Sequence, residues 1–262
     1  MMTGSTLSLM SDPTKRFSDR VENYIKFRPG YPDVVIDLLS EECGLTQSSI
    51  IADIGSGTGI LSEVFLKNGN RVFGVEPNAP MREAGERLLE PYSKFTSIEG
   101  SAEATTLENS SVDFVIAGQA FHWFDQKLAR DEFSRILKPS GWVALVWNER
   151  RIDSTPFLRA YEQMLLKFGT DYQDVRHERI YQDVESFFSP REFKLRTFDN
   201  HQSFDFQGVK GRLLSSSYVP APGDENFEAM LEELRKIFAE HQKAAEVVFE
   251  YDTRVYFGQP KN

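Results

Sequence analysis

The sequence predicts an α/β chain built on a doubly wound, mainly parallel sheet of seven strands, with a helical cover at its N-terminus and an insertion after the fifth strand. Three observations predict it. Short apolar runs alternate with amphipathic stretches from about residue 50 to 150, a glycine-rich turn joins the first run to the first amphipathic stretch, and carboxylates end the first two runs.

The elements follow in order. Phe17 to Leu39 reads as helix, broken by Pro29-Gly30-Tyr31-Pro32, then helix again. Ile50 to Ile54 reads as a buried strand. Ile60 to Asn68 reads as a helix with Leu61, Val64 and Phe65 on one face, stopped by Asn68-Gly69, and Arg71 to Glu76 as the next strand, completing a βαβ unit. Pro80 to Leu89 reads as a second helix, with strands at Lys94 to Glu99, Val112 to Ala117 and Trp142 to Trp147. Asp125 is placed to N-cap a helix whose apolar face is Leu128, Ala129, Phe133, Ile136 and Leu137, closed by Lys138-Pro139-Ser140-Gly141. Ser154-Thr155-Pro156 starts a helix ending near Gly169, and a polar, tyrosine-rich stretch runs on to Ser189. Strands at Phe193 to Phe206 and Glu246 to Phe257 flank a charged helix from Asn226 to Lys243, expected to pack on the core by one face. The expected division is a single domain: a helical cover over 1–40, a core over 41–150, a helical insertion or lid over 151–192, and C-terminal strands and helices over 193–262 that complete the sheet.

Composition narrows the function. Forty acidic against 30 basic residues give a net charge of -10, and no stretch gathers Lys and Arg into a stripe, so no nucleic-acid partner is expected. The longest apolar run, Trp142 to Trp147, is six residues against the ~20 that span a bilayer, so no membrane partner is expected either. The start, MMTGSTLSLMSDP, has neither a basic n-region nor an apolar h-region, and with the single cysteine, Cys43, it fits a cytoplasmic protein. Cys43 precedes Gly44 in a helix-end pattern and reads as a buried structural thiol. His177, His201 and His241 lack metal-ligand spacing, so no metal is expected. The sequence leaves the oligomeric state open.

The chemistry centres on Ile51-Ala52-Asp53-Ile54-Gly55-Ser56-Gly57-Thr58-Gly59-Ile60. A glycine turn between strand and helix brings backbone N–H groups to a ligand, in dinucleotide enzymes a pyrophosphate. Here the third position of that fingerprint is Ile60, Asp53 stands beside the loop, and no Lys or Arg occurs between Ile50 and Leu66. Two like charges at ~4 Å repel by about 4 kcal/mol at an effective dielectric of 20. The loop therefore suits a ligand with an ammonium or sulfonium rather than a phosphate. Glu76 ends the next strand 21 residues after Gly55, where a carboxylate accepts from both ribose hydroxyls. A nucleoside with a cationic tail is S-adenosylmethionine.

With Asp53-x-Gly55-x-Gly57-x-Gly59, Val75-Glu76-Pro77 and Gly100-Ser101-Ala102-Glu103 at successive strand ends, the chain resembles the class I, Rossmann-like S-adenosylmethionine-dependent methyltransferases over Ile50 to Arg150. Gly118-Gln119-Ala120-Phe121-His122-Trp123-Phe124-Asp125 and Tyr24-Ile25-Lys26-Phe27-Arg28-Pro29-Gly30-Tyr31-Pro32 resemble the small-molecule branch that contains trans-aconitate methyltransferase. The resemblance implies that Asp53 orients the methionine amino group, that Gly55, Ser56, Gly57, Thr58 and Gly59 pass under methionine and ribose, and that Glu76 clamps the ribose, with Pro77 and Met81 in the same site. Ser101 and Ala102 would face the adenine; Ser101 stands where the family often has an acid, and Glu103 is the alternative acceptor. Tyr24 and Arg28 would hold the methionine carboxylate, with Gln119 and Ala120 flanking the donor methyl.

On the acceptor side, His122 is either a general base for a hydroxyl or amine or a residue that holds its loop. Phe121 and Trp123 divide between pocket wall and core. Arg150 and Arg151 hold an anionic substrate or form a solvated pair, and Tyr218, in Ser215-Ser216-Ser217-Tyr218, lines the substrate side or the core. The function expected is methyl transfer to a small molecule at a carboxylic acid or hydroxyl oxygen. A non-catalytic cofactor-binding module and, opposed by Asp53 and Ile60, a nicotinamide oxidoreductase are the alternatives.

Overall fold

Residues 25–170, 172, 180–216 and 218–260 are described by the computed structural model. Ile50–Ile54 (β1) lies between Arg71–Val75 (β2) and Val112–Gly118 (β4), parallel to both, and Phe95–Ile98 (β3) pairs parallel to β2. Leu137–Arg150 (β5) extends the parallel array from β4; Val247–Gly258 (β7) pairs with β5 and Phe193–Phe204 (β6) pairs with β7, both antiparallel. The seven-stranded order is β3-β2-β1-β4-β5-β7-β6, the expected α/β sheet with an antiparallel outer pair.

Adjacent residues of the central strands feed opposite faces, as the period of two requires. Ala52, Val115, Ala117 and Leu145 pack on one side with Phe133 and Ile136 of Gln126–Ile136 (α4) and Phe187 and Phe188 of Ile180–Phe188 (α6). Ile51, Ile116, Ala144 and Val146 pack on the other with Val35 and Leu39 of Val34–Cys43 (α1) and Leu61 and Phe65 of Ile60–Lys67 (α2). A third cluster joins Pro156–Phe168 (α5), Phe206–Leu214 (α7) and Phe227–His241 (α8) to the start of β7. Ala79–Leu89 (α3) sits beside β3.

The caps explain where the helices begin. Asn78 accepts from Met81 N (3.0 Å), Asp125 from Lys127 N and Leu128 N (both 3.1 Å), Thr155 from Leu158 N and Asp205 from Gly208 N. Gly44 closes α1 in the left-handed region at φ 71°. Cys43, on the last turn of α1, is half-buried, and burial, with Glu42 beside it, pushes its thiol up to about 12.

Three expectations are corrected. Lys138 to Gly141 does not form a closing loop: Leu137 leaves α4 in extended conformation and pairs with Val112, so these residues belong to β5. The stretch before Ser189 contains α6, whose Val184, Phe187 and Phe188 are buried on the sheet. The strand expected to reach Phe206 stops at Phe204, because Asp205 caps α7. Among the described residues no helix is long and apolar enough to cross a membrane.

Candidate functional site

The site forms at the carboxyl ends of β1, β2, β4 and β5, where open α/β sheets bind ligands. After Ile54 the chain turns through Gly55, Gly57 and Gly59 at φ +67°, +56° and +85°. Gly55 N and Ser56 N donate to Val75 O (2.8 and 3.1 Å), tying the turn to β2. A Cβ on Gly55 would lie 2.7 Å from Ala120 Cβ, so glycine is needed there for conformation and for the close approach of the loop after β4.

Glu76 holds the other side. Its Oε2 accepts from Gly57 N and its Oε1 from Asn78 N, both at 2.8 Å. Each oxygen keeps a second acceptor position. Burial raises the pKa of Glu76, against those two N–H groups and Arg82, which lower it. Asp53 is 1% exposed; Oδ2 accepts from Ser62 Oγ at 2.6 Å, while Oδ1 is buried without a partner. Burial raises its pKa to about 7, with Glu76 adding to the rise and Ser62 opposing it. An unpaired buried carboxylate oxygen is costly unless a cation or donor meets it. With the unpartnered hydroxyl of Thr58, that oxygen fits the ammonium end of an adenosyl sulfonium, and the uncommitted acceptor positions of Glu76 fit its ribose.

Gln119 is held at φ 57°, a strained setting of the kind found at functional sites. Its N donates to Val146 O and its Nε2 to Asn148 O (2.9 Å). Asn148 is a hub: its Nδ2 donates to Gly30 O (3.1 Å), and its Oδ1 accepts from Thr253 Oγ1 (2.6 Å) and Asn200 Nδ2 (3.1 Å). It thereby anchors the Arg28-Pro29-Gly30 segment over the end of β5.

Two cavities meet here. The smaller is lined by Arg28, Tyr31, Asp53, the Gly55–Thr58 turn, Gln119, Asn148 and Arg212. The larger shares Arg28, Gln119, Asn148 and Arg212 and adds Trp147, Arg150, Arg151, Tyr172, Tyr181 and Tyr218. Arg150 donates from Nη2 to Glu162 Oε2 and to Tyr172 Oη (3.0 Å), and the Tyr172 hydroxyl donates to the same carboxylate oxygen (2.6 Å). Arg151 is instead tied to Asp199 and Asp252 across β6 and β7.

The structure thus gathers Arg28, Asp53, Gly55, Ser56, Gly57, Thr58 and Gln119 around one cavity and Arg150 and Tyr218 around its neighbour. Gly59 begins α2 behind the turn. Met81 is buried with Cε 3.3 Å from a Cβ built on Gly57, and Pro77 is exposed. Ser101 bridges to Ala104, Ala102 is in the core, and Glu103 Oε1 accepts from Asp125 N (2.9 Å), so Glu103 supports the start of α4. Ala120 is buried against Gly55. Phe121 is brought to neither cavity: it is 1% exposed, edge-on to Trp147, Phe124 and Phe187 in the core. His122 and Trp123 lie with ring centroids 4.6 Å apart and planes tilted at 44°, and also line neither cavity. Tyr24 and Ser217 lie outside the described residues. Asn148 and Arg212 were not singled out from sequence. Arg212 carried a signal: it shares the apolar face of α7 with Val209 and Leu213, where a charge is unexpected.

Residues 52–145 match the methyltransferase domain family. An uncharacterized methyltransferase of Schizosaccharomyces pombe is 27% identical over 250 residues, 92% of this chain and 96% of that protein. An uncharacterized methyltransferase of Mycobacterium tuberculosis is 34% identical over 139 residues, 53% of this chain and 54% of its own length, so the match spans about half of that relative. Among solved structures, a putative type II methyltransferase from Anaeromyxobacter dehalogenans superposes with a TM-score of 0.69 at 23% identity, over 90% of this chain and 99% of that one. With the glycine turn, the Asp53 and Glu76 carboxylates and this sheet order, the chain is a class I S-adenosylmethionine-dependent methyltransferase.

Proposed function

We propose that the enzyme methylates a small molecule at an oxygen of a carboxylic acid or hydroxyl, in the manner of the trans-aconitate methyltransferase-like branch, and that 1–262 act as one domain. The observation that carries this is the junction at Gln119, Asn148, Arg28 and Arg212, where the cofactor cradle opens into the larger, arginine- and tyrosine-lined cavity. That cavity takes a small acceptor beside the cradle.

When bound, S-adenosylmethionine supplies an electrophilic methyl on a positive sulfur. Asp53 receives its ammonium on the free Oδ1, Glu76 its ribose, and Arg28 and Tyr24 its carboxylate, with Thr58, Met81, Ser101, Ala102 and Ala120 around it. Gln119, fixed by Asn148, orients the acceptor at the junction. The protein's contribution is alignment in a site shielded from water, worth up to about 7 to 11 kcal/mol when well arranged. A carboxylate nucleophile needs no base. His122 serves as base only for a hydroxyl acceptor, and for a carboxylate it holds the loop with Trp123.

The test is a panel of small acids, alcohols, amines, peptides and oligonucleotides, with S-adenosylhomocysteine release and product mass as readouts. Turnover on small acids or alcohols is expected. Turnover confined to peptides or oligonucleotides, or none with any acceptor despite cofactor binding, sinks the proposal.

A further inference from the structure

Most charges around the larger cavity are balanced within the fold. Arg151 lies 2.7 Å from Asp252, Arg254 lies 2.7 Å from Glu149, and Arg150 is paired with Glu162. Arg212 differs. It is 6% exposed, and among the described residues no carboxylate lies within ion-pair distance of it. Its hydrogen bonds run from Nε to Tyr251 Oη and from Nη1 to Ser216 Oγ, both 3.3 Å and both to neutral oxygens. A guanidinium has five N–H donors and keeps its charge at any accessible pH, so among the described residues a buried cation is left without a counter-charge.

Two neighbours indicate where a counter-charge would sit. Arg150 Nη1 is buried with no partner, although Nη2 is committed to Glu162 and Tyr172. Tyr218 is half-buried, and burial raises its pKa, yet the fields of Arg212, Arg28 and Arg150, with a hydrogen bond from Ser216, outweigh that and lower it. Three guanidiniums thus act on one phenol, and all four residues line the larger cavity. Arg212 also lines the cofactor cradle, whereas Arg150 does not.

We propose that Arg212, with Arg150 Nη1 and the Tyr218 hydroxyl, forms a carboxylate-binding subsite for the methyl acceptor, making the acceptor an organic anion rather than a neutral alcohol or amine. This rests on reading the larger cavity as the acceptor site. A carboxylate matches the planar guanidinium fork with two parallel hydrogen bonds, and it supplies the missing charge.

The experiment titrates the S-adenosylhomocysteine-loaded, 15N-labelled enzyme with acetate, acetamide or inorganic phosphate, reading the indole N–H of Trp147, which lines the cavity. Trp147→Phe assigns the signal. Acetate is expected to shift it with a Kd of about 10 mM or tighter, with acetamide at least about tenfold weaker. In Arg212→Gln the acetate response falls at least about tenfold while S-adenosylhomocysteine affinity changes less than about threefold. No response to acetate, or equal responses to acetate and acetamide, overturns the subsite on the unaltered protein, whatever the folding of the variant. Tighter phosphate than acetate binding overturns the carboxylate assignment. Loss of S-adenosylhomocysteine affinity in Arg212→Gln assigns the arginine to the cofactor instead. An enzyme that ignores acetate yet methylates a neutral alcohol loses the anion subsite and keeps the small-molecule function; transfer only to peptide or nucleic acid removes that function.

Discussion

Raising the pH from about 5.5 to about 7.5 should tighten S-adenosylhomocysteine binding about 25-fold, because in the proposed binding mode Asp53 must ionise to meet the ligand's ammonium. In the free protein Asp53 is 1% exposed with Oδ1 unpartnered, and burial holds its pKa near 7. An ammonium against that oxygen favours the ionised form, so the pKa in the complex lies below its free value. Affinity is then full above pH 7 and is lost as the pH falls through it. About three quarters of the free protein is ionised at pH 7.5 and about 3% at pH 5.5, a ratio worth about 2 kcal/mol. Deprotonation of the ligand amino group at higher pH closes the window from above. Calorimetric titration across this range measures the slope, and repeating it near pH 7 in buffers of different ionisation enthalpy measures the proton released by Asp53. In Asp53→Asn the acidic limb should vanish and binding should be weak throughout. A flat affinity from pH 5.5 to 7.5 in the wild type, or a limb that survives in Asp53→Asn, would refute the reasoning.

The same carboxylate sets a stability trade. Its folded pKa lies above the unfolded value of about 3.9, so it lowers stability progressively as the pH rises from about 4 to 7, by up to roughly 4 kcal/mol; ligand-free Asp53→Asn should therefore melt higher than wild type at pH 8, and an equal or lower Tm contradicts this. Glu76→Ala removes the acceptor of Gly57 N and Asn78 N and the proposed ribose contacts, and at about 1.5 to 3 kcal/mol per charged hydrogen bond S-adenosylhomocysteine should bind at least tenfold more weakly by calorimetry. Gly55→Ala combines a left-handed φ of +67° with a Cβ 2.7 Å from Ala120, and at about 1 to 2 kcal/mol for the conformation alone it should lower Tm and cofactor affinity together; an unchanged Tm would mean the turn relaxes freely. For a carboxylate acceptor, His122→Ala should lower kcat less than tenfold and leave the pH profile unaltered; a loss of about 100-fold or more would make the histidine a base.

How far the sequence was legible depended on whether each signal was local. β1, α2 and β2 could be read to within a residue because their apolar periods are interrupted by turn chemistry, Gly55 to Gly59 on one side and Asn68-Gly69 on the other. Asp125 and Thr155 announced α4 and α5 through their caps. α6 escaped, since Ile180–Phe188 presents its buried Val184, Phe187 and Phe188 in a polar, tyrosine-rich context and is fixed by packing against the sheet. Lys138-Pro139-Ser140-Gly141 has turn chemistry, yet the pairing of Leu137 with Val112 draws it into β5, a tertiary contact that no local pattern encodes.

The site divides along the same line. Asp53, Glu76 and the glycines could be recognised because a strand-turn-helix fixes their relative positions within about 25 residues of chain. Asn148 and Arg212 could not, because their roles are made by contacts across the fold: Asn148 joins Gly30 to Thr253, and Arg212 joins α7 to Tyr251 of β7. Those long-range contacts also build the part of the site that would choose an acceptor. The Asp53, glycine-turn and Glu76 part of the cradle needs only the first βαβ unit, while its remaining wall and the neighbouring cavity require the N-terminal segment, the end of β5 and α7 to meet around one asparagine, with the antiparallel outer strands closing the larger cavity. On the proposed reading, acceptor choice changes by substitution at Arg150, Arg212 or Tyr218 without disturbing Asp53 and Glu76, which is why the donor was readable from spacing and the acceptor had to be inferred from an unbalanced charge.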